Sequence, residues 1–249
     1  MATQPKSDNA STGPASGPST GPSTGQRSRS HATQTALMIA AEKLIAKKGL
    51  KNVSIKEIVK AAGQKNESAL QYHFKSLQGL IDAILDVRSE QTQARRAELL
   101  EALKSSNRAI TLRDVCKIMI MPSYTLGRGN AEYRRFIVGF SHNLALSPNT
   151  LLTAGKRGAG GQSGRETRDL IQEHLPHLDA DALHQRVESA VRLASISMGF
   201  HARQPNAFRG DDADLFLSNL LDAMVGLLSA PISDETRELT KKLQTKKSS

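Results

Sequence analysis

Between residues 37 and 85 the apolar side chains recur at helical spacing in four short runs, separated by capping and turn residues. Leu37, Ala40, Ala41, Leu44 and Ile45 stand at i, i+3, i+4, i+7 and i+8, one stripe on one helix that ends at Gly49. Ser54 followed by Glu57 is a capping-box pattern: the hydroxyl accepts a first-turn N–H and the carboxylate reaches back to the cap. The helix it opens carries Ile55, Ile58, Val59 and Ala62 and stops at Gly63. A third helix turns Ala69, Leu70 and Phe74 inward, and a fourth starts near Ser76 with Leu77, Leu80, Ile81, Ile84 and Leu85. Short helices this close, the second and third joined by a Gly-bearing turn, describe a helix-turn-helix between about Ser54 and Phe74. An ordinary three-helix bundle has the same pattern, so spacing alone leaves both open.

Charge weighs between them. The chain carries a net +10, and residues 27–75 hold ten Lys or Arg against three acids. Residues 76–230 hold eighteen against seventeen. An excess confined to one early module is the footprint of a polyanion surface, with a merely solvated basic face as the bland alternative. Together with the helix-turn-helix it points to double-stranded DNA. Ahead of the module, residues 1–30 repeat Ser, Thr, Gly and Pro and bury almost nothing, which predicts a disordered tail. Arg27 and Arg29 close that tail, either as an arm for a minor groove or as plain flexible chain.

The rest of the chain has no alternating strand pattern. Helical stretches are expected over residues 88–104, 112–121, 130–146, 165–175, 181–203 and 212–228, with a Gly- and Ser-rich mobile loop or frayed helix over 147–164. The expected organisation is therefore all-α: a tail over 1–30, a helix-turn-helix domain over 31–91, a helical body over 92–230 and a basic flexible tail over 231–249. A lone Cys116 excludes an internal disulfide framework and a cysteine zinc cluster, and it reads as a buried small hydrophobe. His174 and His177 flank Leu175 and Pro176 with no further ligand at metal spacing, so no metal site is expected. Gly155 and Lys156 lack the remaining residues of a phosphate-binding loop. No acid–base or nucleophile set is recognisable, so the chain does not read as an enzyme and no cofactor is expected. With no apolar run long enough to cross a bilayer and no secretory signal pattern, a cytoplasmic location is expected and no membrane partner.

The segment from Ala36 to Leu85 resembles the N-terminal domain of the TetR family of transcriptional regulators. The resemblance rests on AAEKLIAKKG over residues 40–49, VSIKEIVKAAG over 53–63, Tyr72, His73 and Phe74, and the apolar Leu80 and Ile81. It covers about a fifth of the chain. The family's turn usually reads Ala-Gly-Val-Ser, whereas this one reads Ala62, Gly63, Gln64, Lys65, Asn66, and the path to Phe74 is one residue longer. Gln71 thereby occupies the place of a tyrosine that typically touches phosphate in the family, with Tyr72 beside it.

The resemblance implies a sequence-specific regulator, usually a repressor, that binds a palindromic operator as a homodimer and responds to a small-molecule effector whose identity the residues leave open. A sequence-tolerant architectural DNA binder is the alternative. The second helix of such a motif enters the major groove by its N-terminal end. Lys65, Asn66, Glu67, Ser68, Gln71 and Tyr72 are the base-contacting candidates, since Asn and Gln pair with adenine, Lys donates to guanine and Glu accepts from cytosine. Ser54, Lys56, His73 and Lys75 are the phosphate-contacting candidates. In the body, Met119, Tyr124, Tyr133, Phe136, Phe140, His142, Met198 and Phe200 are effector-pocket candidates, each with ordinary core as its alternative. The last helix is apolar nearly all round and needs cover on every side, from a partner subunit or from its own. TetR-like proteins dimerise through their last two helices, which implicates Val187, Ala190, Val191, Ala194, Leu217, Leu220, Leu221, Met224 and Leu228.

Overall fold

A computed structural model describes residue 1, residues 24–147 and residues 161–247, and the regular structure among them is entirely helical. In order it comprises α1 (Thr24–Lys48), a 3-10 turn (Leu50–Asn52), α2 (Ile55–Ala61), α3 (Ser68–Phe74), α4 (Leu77–Lys104) and α5 (Leu112–Gly129). Then follow α6 (Ala131–Ala145), α7 (Gly161–His174), α8 (Ala180–Ala202), α9 (Gly210–Ser229) and α10 (Asp234–Lys247).

Most starts have a local chemical cause. Ser76 Oγ accepts from Gly79 N at 3.0 Å and opens α4. Thr111 and Asp114 form a reciprocal box at α5, Asn130 accepts from Glu132 N and Tyr133 N at α6, and Asp179 accepts from Ala182 N at α8. Each such cap contributes about 1 kcal/mol by pairing a backbone donor the helix leaves unsatisfied.

The stripe on α1 lies where its spacing put it: Leu37, Ala41 and Ile45 are buried against Ile58, Leu70, Leu80 and Ile84, which makes α1 to α4 a small head. The body is built on the long α6–α8 pairing, with α5 and α9 beside it, and α1 packs on α6 to join the two parts. A second join is polar. Arg88 on α4 donates through Nε and Nη2 to the two carboxylate oxygens of Glu42 on α1, at 2.7 and 2.6 Å, and Glu42 is only 2% exposed. The same guanidinium lies 5.8 Å over the ring of Tyr133 on α6.

Several boundaries differ from expectation. α1 begins at Thr24, inside the stretch that composition assigned to the tail, because residues 26–48 contain neither Gly nor Pro to stop it; residues 2–23 lie outside the described residues. Arg29 therefore sits on a helix and is exposed there. The domain boundary expected at residue 91 falls inside α4, one unbroken 28-residue helix, since nothing between Asp86 and Glu90 breaks it. α5 runs through Pro122, which removes one backbone donor without ending the helix. Of the expected loop, residues 148–160 lie outside the described residues and Gly161 to Gly164 form the first turn of α7. The expected C-terminal tail is helical as α10: Ser233 Oγ accepts from Thr236 N, Asp234 and Glu235 stand at the positive end, and lysines follow at the negative end.

Candidate functional site

The head is shaped around the turn between α2 and α3. Ser54 N and Oγ both donate to Glu57 Oε2 at 3.1 Å, and Ser54 Oγ accepts from Glu57 N at 3.3 Å. Lys48 from the end of α1 donates to Glu57 Oε1 at 2.5 Å, and with the cap it holds the carboxyl at about 2. The capping carboxylate is thus charged at any physiological pH. Gly63 then takes a positive φ of 68° while Gln64 N donates to Val59 O and Gly63 N to Lys60 O. Those two bonds are a Schellman ending, and the left-handed residue it requires is why glycine stands there. Asn66 Oδ1 accepts from Ser68 N at 3.0 Å, which turns the extra turn residue into the start of α3.

At the other end α3 stops hard. Lys75 has φ 67°, and a Cβ on Gly79 would lie 2.0 Å from the carbonyl oxygen of Phe74. No side chain fits between the end of α3 and the first turn of α4. With Leu70 fully buried beneath it, α3 is held at a set depth with its outer face free.

Lys65, Asn66, Glu67, Ser68, Gln71 and Tyr72 are all exposed along the turn and that outer face, and Tyr72 keeps 72% of its surface. Lys56, Lys60 and Lys75 stand exposed around them, and among the described residues no ion pair engages these lysines or Lys65. Asn66 uses one lone pair of its carbonyl oxygen on the cap, leaving its amide group and its second lone pair. Ser54 is likewise exposed but its hydroxyl is committed to Glu57. His73 is half-buried between Tyr72 and Phe74, with ring centroids 4.9 and 6.2 Å away.

Residues 37–84, which span α1 from Leu37 through the first turns of α4, match the family model TetR_N, bacterial regulatory proteins of the tetR family. That segment of the chain is therefore similar to the DNA-binding domain of tetR-family regulators. Two solved structures are similar to the chain at low identity. A tetR-family transcriptional regulator from Streptomyces coelicolor is 20% identical over 86% of this chain and 89% of that one, with a TM-score of 0.45. NalD, the secondary repressor of the MexAB-OprM multidrug efflux pump in Pseudomonas aeruginosa, is 19% identical over 81% of this chain and 100% of that one, with a TM-score of 0.44. No curated protein matches the chain significantly.

Beyond this head, α4, α5, α6, α8 and α9 line a partly open cavity of about 90 Å³. Met119, Tyr133, Phe136 and Met198, four of the eight expected pocket residues, line it. The other four do not. Tyr124 is core against Phe208, with ring centroids 5.2 Å apart, and Phe140 is core stacked on Phe136 at 5.1 Å. His142 is exposed, and so is Phe200 at 68%. Spacing alone could not separate the two faces of α6 and α8. The polar lining was missed altogether: Thr92, Arg96, Ser123, Ser141 and Ser195. Tyr133 Oη lies 2.6 Å from Thr92 Oγ1 and 3.2 Å from Ser123 Oγ, and burial raises its pKa.

The interface expectation also needs correction. Val187, Ala190, Leu220, Leu221, Met224 and Leu228 are buried within the subunit, and Val191 and Ala194 line the cavity. Only Leu217 is a partly exposed member of that set outside the cavity. The outward apolar residues are instead Ile196 and Phe200 on α8 and Leu215 on α9, with Ala223 and Gly226 exposed further along α9. Cys116 is fully buried, which pushes its thiol up to about 12 and leaves it inert as a thiolate. No single helix among the described residues is long and apolar enough to cross a membrane.

Proposed function

We propose that this chain is a TetR-family transcriptional repressor that binds a palindromic DNA operator as a homodimer and releases it when a small molecule occupies the body. The observation that carries the reading is the exposed polar row on α3, centred on Ser68 and Gln71 and ringed by lysines without acidic partners. Such a helix suits a major groove, its side chains meeting base edges while the surrounding lysines meet phosphates. Two copies would be joined through the outward residues of α8 and α9, where Leu215, Ala223 and Gly226 permit close helix contact. A two-fold pair reads two half-sites, hence the palindrome.

The effector reading is supported by the partly open cavity in the body and by its connection to the head. Tyr133 lines the cavity, its ring lies beneath Arg88, and Arg88 grips Glu42 on α1. Occupancy that shifts Tyr133 alters the seat of the α1–α4 clamp, which is the differential contact a ligand needs to bias two states.

Selection of genomic fragments bound by the full-length protein tests the reading. A palindromic consensus, with a two-subunit mass in solution, is the expected result. Uniform coverage of the genome would make it a sequence-tolerant binder, and no retention at moderate salt would overturn DNA binding by this chain altogether.

A further inference from the structure

Arg88, Thr92 and Arg96 stand four residues apart on one face of α4, and all three are buried. Their fates differ. Arg88 holds Glu42, and Thr92 bonds to Arg88 O and Tyr133 Oη. Arg96 is only 3% exposed, and its buried Nε and Nη1 have no hydrogen-bond partner. Burial lowers its pKa, but a guanidinium remains charged across physiological pH, so among the described residues two nitrogens of this interior cation meet no hydrogen-bond partner. Uncompensated buried charge is among the costliest features a fold can carry.

That cation lines the cavity. No Asp or Glu is among the described residues that line it, and its polar lining besides Arg96 is hydroxyls: Thr92, Ser123, Tyr133, Ser141 and Ser195. The rest of the lining is apolar, including Met119, Phe136 and Met198. The space therefore offers one cation, several hydroxyls and apolar side chains. A single guanidinium neutralises one negative charge and matches a carboxylate with two parallel hydrogen bonds. A phosphate dianion would carry a second charge into an interior that offers no second cation among the lining residues. The volume of about 90 Å³ is smaller than the about 150 Å³ of a cavity that holds benzene, so it suits a short chain, and a ring enters only as the flexible Met119 and Met198 shift.

We infer that the cavity binds a small organic monocarboxylate, its carboxylate on Arg96 and its apolar body among Met119, Phe136 and Met198. The inference rests on the effector reading above and narrows it to one ligand chemistry.

The test uses the full-length protein, with benzoate and hexanoate as probes and benzamide and hexanamide as neutral controls of the same shape. Calorimetric titration should show each acid binding about tenfold or more tighter than its amide. Arg96→Met should erase that preference and raise the melting temperature of the ligand-free protein, an effect opposite to the loss of a structural arginine. Ala194→Phe, which fills the cavity and leaves Arg96 in place, should abolish binding of both acids and keeps the test decisive if Arg96→Met does not fold. Equal binding of acid and amide, undiminished acid binding by either variant, or no binding of either acid at about 10 mM overturns the inference. DNA retention measured on the same samples separates the two readings. Intact DNA binding without carboxylate preference removes only this inference. Carboxylate binding through Arg96 in a protein that ignores DNA removes the regulator reading and leaves the ligand class standing.

Discussion

The head and the body of this molecule handle polar groups in opposite ways. On the head, Lys56, Lys65, Gln71, Tyr72 and Lys75 point to solvent, and the helices that carry them are short and locally capped. In the body and along the later half of α4 that packs on it, Arg96, Thr92, Ser141 and Thr167 are turned inward, and the outer faces of α8 and α9 keep apolar residues. The head thus presents its polar groups to solvent, and the body keeps polar groups around a cavity.

The largest expected effect strikes the clamp between them. Glu42→Ala strands Arg88 in the interior and should cost about 3–5 kcal/mol, read as a lower urea midpoint. Glu42→Leu combined with Arg88→Met should recover most of that loss; a drop under about 1 kcal/mol in the single variant would mean the parts are not joined by this pair. Gly79→Ala comes next. Its Cβ meets Phe74 O, so about 1–3 kcal/mol of strain should displace α3 and lower DNA affinity while leaving ligand binding in the body unchanged. Parallel loss of both activities would dissolve the distinction between head and body.

Within the head, Gln71→Ala should weaken operator binding by about 1–3 kcal/mol with little change on random DNA. Lys75→Ala should weaken both alike and reduce the salt slope by about 1. Gel shifts on both DNAs at several salt concentrations check the pair, and identical behaviour of the two variants would sink the division into base and phosphate contacts.

The smallest effect belongs to the body and to pH. Both ring nitrogens of His174 face carbonyl oxygens, Leu170 O at 2.7 Å and Ile110 O at 2.9 Å, so only the protonated ring donates to both. These bonds, Ile110 first, raise its pKa above the ordinary 6.5. Its stabilisation is therefore complete below 6.5 and fades as pH rises through the raised folded value. Melting temperatures of the wild type should fall more than those of His174→Gln between about pH 6 and 9. Parallel curves would rule out this contribution.

The contrast also explains what could be read from the residues alone. Leu37, Ala41 and Ile45, the Ser54–Glu57 box and Gly63 act within a turn or two of chain, and each occupies its expected role. Arg88 and Glu42 are 46 residues apart, and their burial exists only once α4 lies on α1. Arg96 looks like any surface arginine on a helix until its neighbours close around it. A faint signal was there, since Arg88, Thr92 and Arg96 repeat at the helical period. Nothing local distinguishes the inward face of α8, with Val187 and Ala190, from the outward one, with Ile196 and Phe200. An apolar helix face says that cover is needed and not which neighbour supplies it. Asn66 shows a second limit: its residue type suggests base pairing, and only the folded turn reveals that its carbonyl oxygen also caps α3.

The 28-residue span of α4 is, mechanically, a rigid lever. Its first turn abuts the end of α3, and Arg96 lies near its far end, about 28 Å away at the rise of an α-helix. A tilt of about 5° there, pivoting near Arg96, moves the α3 end by roughly 2–3 Å over that length. In a two-fold dimer the displacement is doubled between the reading heads, a change comparable to a whole base-pair step of about 3.4 Å.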